Sequence, residues 1–140
     1  MAALNETRNA KHAVAAGITS QGLLLKTSAS GLVLCAAVGD QPCGISAAES
    51  SRDAAGAYED GTAVDATVAV YPMSGIVYVK AGEAYTAADA DFGVPLFLHT
   101  TDGTVGKTSS GAKQVGTLFQ SGEAIAVGDL VAMACIGVGI

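Results

Sequence analysis

Short apolar runs, separated at close intervals by turn-forming residues, constrain this chain more than any other feature of its sequence. Leu32–Leu34 follows the turn-rich segment Ser28–Gly31, and Leu96–His99 leads into Thr101–Thr104, which contains an Asp-Gly pair. Short apolar runs flanked by such turns are typical of β-hairpins. The chain is therefore predicted to be all-β. The predicted strands are Leu23–Lys26, Leu32–Leu34, Val64–Tyr71, Ile76–Val79, Leu96–His99, Gln114–Phe119 and Leu130–Ile136.

Two segments between these strands need an interpretation of their own. Pro72–Gly75 has turn composition, which predicts a hairpin that joins Val64–Tyr71 to Ile76–Val79. Ala47–Tyr58 is the only helix-like stretch of the sequence. Its sparse apolar spacing and Gly56 favour a mobile loop over a helix.

The apolar content is high for a small soluble monomer. Half of the 140 residues are apolar although only 5% are aromatic, Trp is absent, and the mean hydropathy is +0.43. Such a surplus indicates surface that a partner covers. The apolar C-terminal run Leu130–Ile140 is shorter than the roughly 18 residues that a membrane-spanning helix needs, so we expect a buried strand there and no membrane contact.

Charge and cysteine usage narrow the function classes further. The chain carries 13 acidic and 7 basic residues, a net charge of −6, whereas nucleic-acid binding needs a basic surface. Met1–His12 has no apolar segment of the secretory type, so no secretory signal is expected. Cys35, Cys43 and Cys135 lack CxxC spacing, which indicates small buried thiols, with a Cys35–Cys43 disulfide as the alternative.

The N-terminal segment, residues 1–14, differs in character from the rest. It is polar, it lacks apolar periodicity, and it concentrates basic side chains, so it is either a frayed terminus or an arm that docks on a neighbouring protein. As an arm, we expect it to be disordered in the free protein and to become ordered by pairing with an exposed strand edge. Its candidate partner-binding residues are Arg8, Asn9, Lys11, His12 and Val14.

Residues 15–140 are predicted to form a single β domain with internal similarity. Gly82–Ala84 and Gly122–Ala124 share the sequence Gly-Glu-Ala, and each precedes an aspartate, Asp89 or Asp129, by the same distance. These segments are predicted to be turns between strands, with each aspartate where a turn begins.

A longer similarity relates two halves of this domain. The order of strand, polar turn, strand and glycine-led strand in Leu24–Ile45 recurs in Phe97–Leu118. Because only two copies exist, this order predicts two related β-modules on one core and not a long solenoid.

No group of residues has the spacing of a catalytic or metal site. His12 and His99 are the only histidines, and the cysteines are scattered, so no zinc site is expected. Gly103–Thr108 has two residues between its glycines where a phosphate-binding loop has four, and it is interpreted as a hairpin. Asp89 and Asp91 lack the further oxygen ligands of a calcium loop. We therefore expect no catalytic residue, no cofactor and no metal.

One order of strands, short turns and glycine-led strands extends over residues 20–136. The runs that carry it are Gly22–Ser28, Gly31–Leu34, Ala36–Asp40, Cys43–Ala48, Gly75–Ala84, Val115–Leu118 and Ala126–Val131. In this pattern the chain resembles the small capsid decoration proteins, also called cement or head-stabilising proteins, of tailed phages and related viruses. The resemblance is one of pattern and length, since none of these runs is specific alone.

The resemblance implies a compact β-barrel or β-tulip-like domain with an extended N-terminal arm. It further implies a homotrimer on the outer capsid surface of a virion, where the chain binds the major capsid protein and clamps its neighbouring subunits. The surfaces carried over are the arm, residues 2–14, and the apolar C-terminal strand. The family has no catalytic residue to carry over.

Three other functions stay open from the sequence. The chain could be another virion β-module, of a tail tube or a fibre. A carbohydrate- or ligand-binding β domain would use aromatic platforms, for which the chain has four Tyr and three Phe but no Trp. A small thiol enzyme would use Cys35, which lies in an apolar strand where packing is the favoured role.

Overall fold

The structure, a computed structural model, describes residues 8–11, 18–29, 31–51, 67–99, 102–120 and 122–136, the first of these segments by its backbone alone. These residues form strands and no helix, so the all-β prediction is confirmed. None of the described segments is a helix that could cross a membrane. The strands are β1 (Arg8–Lys11), β2 (Leu24–Ser28), β3 (Gly31–Leu34), β4 (Gly44–Ser46), β5 (Thr67–Pro72), β6 (Ile76–Lys80), β7 (Pro95–Leu98), β8 (Val105–Gly106), β9 (Gln114–Leu118) and β10 (Leu130–Cys135).

Two five-stranded sheets share one strand order. Sheet 1 has the order β1-β5-β4-β2-β3, and sheet 2 has the order β6-β10-β9-β7-β8. All neighbouring strands within each sheet are antiparallel. Adding five to every strand number of sheet 1 therefore produces sheet 2. We call the half of the chain that forms sheet 1 module 1 and the half that forms sheet 2 module 2.

The pairing register of the two modules also agrees. Where β4 meets β5, Ile45 lies opposite Tyr71, and where β9 meets β10, Thr117 lies opposite Ala134. A glycine precedes Ile45 in module 1 and Thr117 in module 2; these glycines are Gly44 and Gly116. Equal register on equal topology means that a residue in one module has an identifiable counterpart in the other.

A glycine is required at both of these counterpart positions by the approach of the neighbouring strand. A Cβ at Gly44 would meet the Cγ1 atom of Val70, and a Cβ at Gly116 would lie 2.5 Å from the Cγ atom of Met133. Real Cβ atoms do not approach other heavy atoms this closely. The missing side chain lets a large residue of the next strand fill the inward side of each sheet.

Among the described residues, the larger of two hydrophobic cores lies inside module 2. Sheet 2 curls until Val105 of β8 forms a parallel bridge with Ala81, directly after β6. The inward side chains of sheet 2 then enclose a common core, which Leu24, Cys35 and Ile45 of module 1 complete. Complete burial of an aliphatic side chain of this size contributes about 1.5–3 kcal/mol. The two modules therefore share part of their apolar stabilisation.

A smaller core lies on the other side of sheet 1. It is formed by Ile18, Leu23, Leu25 and Val68, with Leu32, Leu34 and Val70 packed against it. Leu24 points into the larger core while its neighbours point into the smaller one, as the alternation of side chains along a strand requires. Sheet 1 therefore has apolar side chains on both of its sides.

The predicted hairpin across Pro72–Gly75 is wrong. β5 pairs with β1 and β4 in sheet 1, while β6 pairs with β10 in sheet 2. Because both edges of β5 are occupied within its own sheet, β6 has no edge of β5 to join. The turn instead passes the chain from one module to the other, and Gly75 adopts a φ of +69° that favours glycine there.

Strand β1 corrects the prediction of a disordered arm for Arg8–Lys11, the part of the arm that the structure describes. Arg8–Lys11 pairs antiparallel with β5, so that Arg8 lies opposite Val70 and Lys11 opposite Thr67. Backbone hydrogen bonds to a strand edge order a polar segment without any apolar periodicity of its own. Of the other predicted features, Ala47–Ser51 is not helical, and residues 52–58 lie outside the described residues.

Candidate functional site

The outward side of sheet 2 is the strongest candidate for a functional surface. In β6, exposed and buried side chains alternate, because Val77 and Val79 point into the core while Ile76 and Tyr78 point away from it. The same alternation in β10 turns Ala132 and Ala134 outward. We call this surface the outer face of module 2. Its members are Ile76, Tyr78, Thr117, Phe119, Leu130, Ala132 and Ala134, with the adjoining Phe92.

A row of side chains across three strands gives this face its shape. Tyr78 lies opposite Ala132, and the backbone N–H of Phe119 donates to the carbonyl oxygen of Ala132 at 2.8 Å. Phe92 packs against Phe119 edge to face, with 5.3 Å between the ring centroids. Since alanine is much smaller than its neighbours, β10 forms the floor of a shallow trough between aromatic walls.

The aromatic walls of the trough are largely exposed. Tyr78 is 63% exposed, Phe92 is 58% exposed and Phe119 is 47% exposed. The whole chain has only four Tyr and three Phe, so three of its few aromatic side chains lie on one surface. Aromatic residues are enriched at protein–protein interfaces because they bury a large area with few rotatable bonds.

This face also carries little charge. Lys80, at the end of β6, is the only charged residue that the strands of the outer face contribute in the described part of the chain, and its Nζ donates to Ser20 Oγ at 2.8 Å. A partner that covers the face therefore has to desolvate little charge, although the chain as a whole has a net charge of −6.

The two Gly-Glu-Ala segments meet at another part of module 2. Tyr85 and Ile125, which follow them directly, exchange two backbone hydrogen bonds of 2.9 Å in an isolated antiparallel bridge. The prediction that each aspartate begins a turn is wrong. The backbone N–H of Asp89 donates to the carbonyl oxygen of Thr86, and that of Asp129 donates to the carbonyl oxygen of Ala126, so each aspartate is the last residue of its turn. The Asp129 carboxylate accepts the backbone N–H of Ala126 at 2.9 Å, which holds that turn closed.

A glutamate–histidine pair lines a cavity of about 190 Å³. His99 Nε2 lies 3.5 Å from Glu83 Oε2, and Thr108 and Ser110 are also in the wall. Such a pair would need a nucleophile in contact to act as a general base. Among the described residues, neither wall hydroxyl forms a hydrogen bond with His99, and its Nδ1 atom has no partner.

The cysteines are free thiols with raised pKa values. Burial raises the pKa of Cys35 to about 12 and that of Cys135 to about 11, and it also raises the pKa of Cys43. The alternative of a Cys35–Cys43 disulfide is not found. Reactive thiols have lowered pKa values, so the raised values argue against nucleophilic chemistry. Cys35 is buried as predicted, whereas the prediction of a buried thiol is wrong for Cys43, which is exposed.

Native alkylation tests this assignment. Iodoacetamide at pH 8 should modify the exposed Cys43 in the folded protein, whereas Cys35, which is 1% exposed, should react only after unfolding. Mass spectrometry of proteolytic peptides measures both rates. Modification of Cys35 at least as fast as that of Cys43 in the native protein would contradict its placement in the core.

The structure describes only some of the partner-binding residues predicted from the sequence. The backbones of Arg8, Asn9 and Lys11 belong to β1 at the edge of sheet 1, while His12 and Val14 lie outside the described residues. Among the described residues there is no group of three or more His, Cys, Asp or Glu side chains that could hold a metal ion. No known family model matches the chain, and no curated protein matches it either.

The outer face itself was not among the predicted partner surfaces as a whole. Only its β10 strand corresponds to the apolar C-terminal strand proposed from the sequence. A usable signal is present in β6, whose sequence IVYVK is apolar at both parities. In a strand with one side in the core and the other in solvent, apolar and polar residues alternate. Apolar residues at both parities therefore indicate that both sides of the strand are covered.

Proposed function

We propose that this chain is a capsid decoration protein, which binds the outer surface of an icosahedral viral shell and clamps neighbouring major capsid subunits. The observation that carries the proposal is the outer face of module 2, an exposed aromatic surface of little charge on a small β domain. Such a surface suits assembly with other proteins, and the strand-and-turn pattern of the chain resembles that of decoration proteins.

The N-terminal strand supports the proposal by its position and its sequence. β1 is the last strand of sheet 1, and it contains Arg8 and Lys11 in a protein of net charge −6. A basic edge strand suits a neighbour with an acidic patch, to which it could add main-chain hydrogen bonds. In this proposal β1 and the residues around it contact the major capsid protein.

Weak individual contacts are sufficient for binding to a shell when several copies bind together. A decoration protein holds no reagent, so its function requires no reactive group. If three copies act as one trimer, the second and third contacts form within an assembly that is already bound, and the overall affinity exceeds that of each contact alone. The proposed state on the shell is a homotrimer.

Binding to shells tests the proposal and the role of β1 together. The Arg8→Glu, Lys11→Glu double variant should bind expanded shells at least about tenfold more weakly than the unmodified protein, equivalent to ~1.4 kcal/mol per copy. Co-sedimentation with expanded and unexpanded shells of the virus that encodes the chain measures the affinity. The expected result is binding to expanded shells only.

A second double variant controls for net charge. Lys107→Glu, Lys113→Glu makes the same charge change on exposed or partly exposed side chains of module 2, and it should bind shells nearly as well as the unmodified protein. If both double variants lose affinity equally, β1 has no special role. If the unmodified protein sediments with neither form of the shell, the decoration function itself is contradicted.

A further inference from the structure

The two modules differ in what covers their outward sides. In sheet 1, Leu24 lies opposite Ile45, and Ile45 lies opposite Tyr71, so the three form a row across β2, β4 and β5. This row points away from the smaller core of module 1, and we call it the outer face of module 1. Leu24 and Ile45 are completely buried in the larger core, and Tyr71 packs against it. Module 2 therefore covers the outer face of module 1.

Register identifies the same surface on module 2. Because Gly44 corresponds to Gly116, Ile45 corresponds to Thr117 and Tyr71 to Ala134. Thr117 and Ala134 belong to the outer face of module 2, which no described part of the chain covers to the same extent: its largest side chain, Tyr78, is 63% exposed. One fold thus occurs twice, with its outer face buried once and open once.

We propose that a second copy of this chain covers the outer face of module 2, as module 2 covers the outer face of module 1. The inference deepens the proposed function, on which it rests only for the number of copies. The contact joins two different surfaces of the chain, so repetition of it forms a closed ring when the rotation between copies is suitable. A ring of three copies would be the trimer proposed for the decoration protein.

Charge favours a second copy over a charged partner. Among the described residues, the strands of the outer face contribute one ionised group, Lys80, whose Nζ donates to the neutral Oγ of Ser20. A strongly charged partner would have to desolvate its own groups with only this one ammonium group to compensate. A copy of the chain offers apolar side chains of its own, such as those that the trough between Tyr78 and Phe119 accommodates.

An arginine at the floor of the trough tests this assignment. Ala132→Arg should weaken self-association at least about 100-fold, because the long side chain fills the trough and brings a charge into the contact. Analytical ultracentrifugation of the full chain, without any shell, measures the mass as a function of concentration. The unmodified protein should form trimers and the variant should remain monomeric.

Two further variants keep the test informative if Ala132→Arg does not fold. Tyr78→Ala and Phe119→Ala truncate side chains that are 63% and 47% exposed, and each should weaken self-association by about tenfold or more. Tyr78→Ala, the more exposed of the two, should leave the thermal unfolding temperature nearly unchanged. Val127→Arg is the matched control, since Val127 is 66% exposed on a turn that lies outside the outer face. It should associate like the unmodified protein.

The outcomes separate this inference from the proposed function. If the unmodified protein stays monomeric at millimolar concentration, or if the Ala132 and Tyr78 variants assemble as tightly as the control, the inference is overturned whether or not shells are bound. If assembly depends on the outer face but the assembled protein binds no shell, the inference holds and the decoration function fails.

Discussion

Replacing Gly116 by alanine is expected to lower the free energy of unfolding by about 3 kcal/mol, at the upper end of the usual cost of overpacking a core. The new Cβ would lie 2.5 Å from the carbonyl oxygen of Ala134 and 2.5 Å from Met133 Cγ, so β9 and β10 would have to separate. That separation breaks the ladder between the two strands that carry most of the outer face. Chemical denaturation followed by circular dichroism measures the change.

Gly39→Ala is the control for this substitution. A Cβ at Gly39 meets no atom within 4 Å, and its backbone φ is not positive. The substitution should leave stability unchanged or raise it by about 0.4–1 kcal/mol, since alanine restricts the unfolded chain. Equal stability of the Gly116 and Gly39 variants would show that the strands do not approach each other as described.

Leu24→Ala is expected to cost about 3 kcal/mol, because it opens a cavity in the core that the two modules share. Leu24 is a module 1 residue that is 0% exposed within the larger core. For a domain of this size the loss corresponds to a fall of roughly 10 °C in the unfolding temperature. Scanning calorimetry measures that fall.

The same calorimetric scan tests whether the modules fold as one unit. Shared burial predicts a single cooperative transition for the unmodified protein. Val127→Ala, which truncates a side chain that is 66% exposed, should shift the transition by no more than a degree or two. Two separate transitions, or equal effects of the Leu24 and Val127 substitutions, would contradict a shared core.

The strands were predictable from sequence because their boundaries are encoded locally. β2, β3, β7 and β9 each lie beside glycine- and serine-rich turns, and each of the seven predicted strands overlaps a described one. β1 was not predictable in this way. Its polar sequence has no periodicity, and its order comes from an edge of β5 that only the folded chain provides.

Which strands pair with each other could not be predicted from local sequence patterns. The turn at Pro72–Gly75 has the composition of a hairpin, yet it joins different sheets because β1 and β4 occupy both edges of β5. The exposure of the outer face also depends on tertiary structure. Phe119 and Phe92 are distant in sequence, and only the packing of β9 against its neighbours brings the rings together.

The similarity between Leu24–Ile45 and Phe97–Leu118 has a larger structural counterpart than the sequence alone indicates. Each range contains the second, third and fourth strands of a five-stranded sheet, and the sheets agree in order and register. The strands that complete the sheets differ most in sequence. β1 is RNAK and its counterpart β6 is IVYVK, so the basic edge and the aromatic face occupy corresponding places in the two modules.

Electron microscopy of expanded, undecorated shells mixed with this protein tests the proposed decoration function. We expect added density at three-fold and quasi-three-fold positions on the outer surface, with three copies joined through the outer face of module 2 and β1 directed towards the capsid subunits. Shells that remain bare in the presence of assembled protein, or density confined to a tail or fibre, would contradict it.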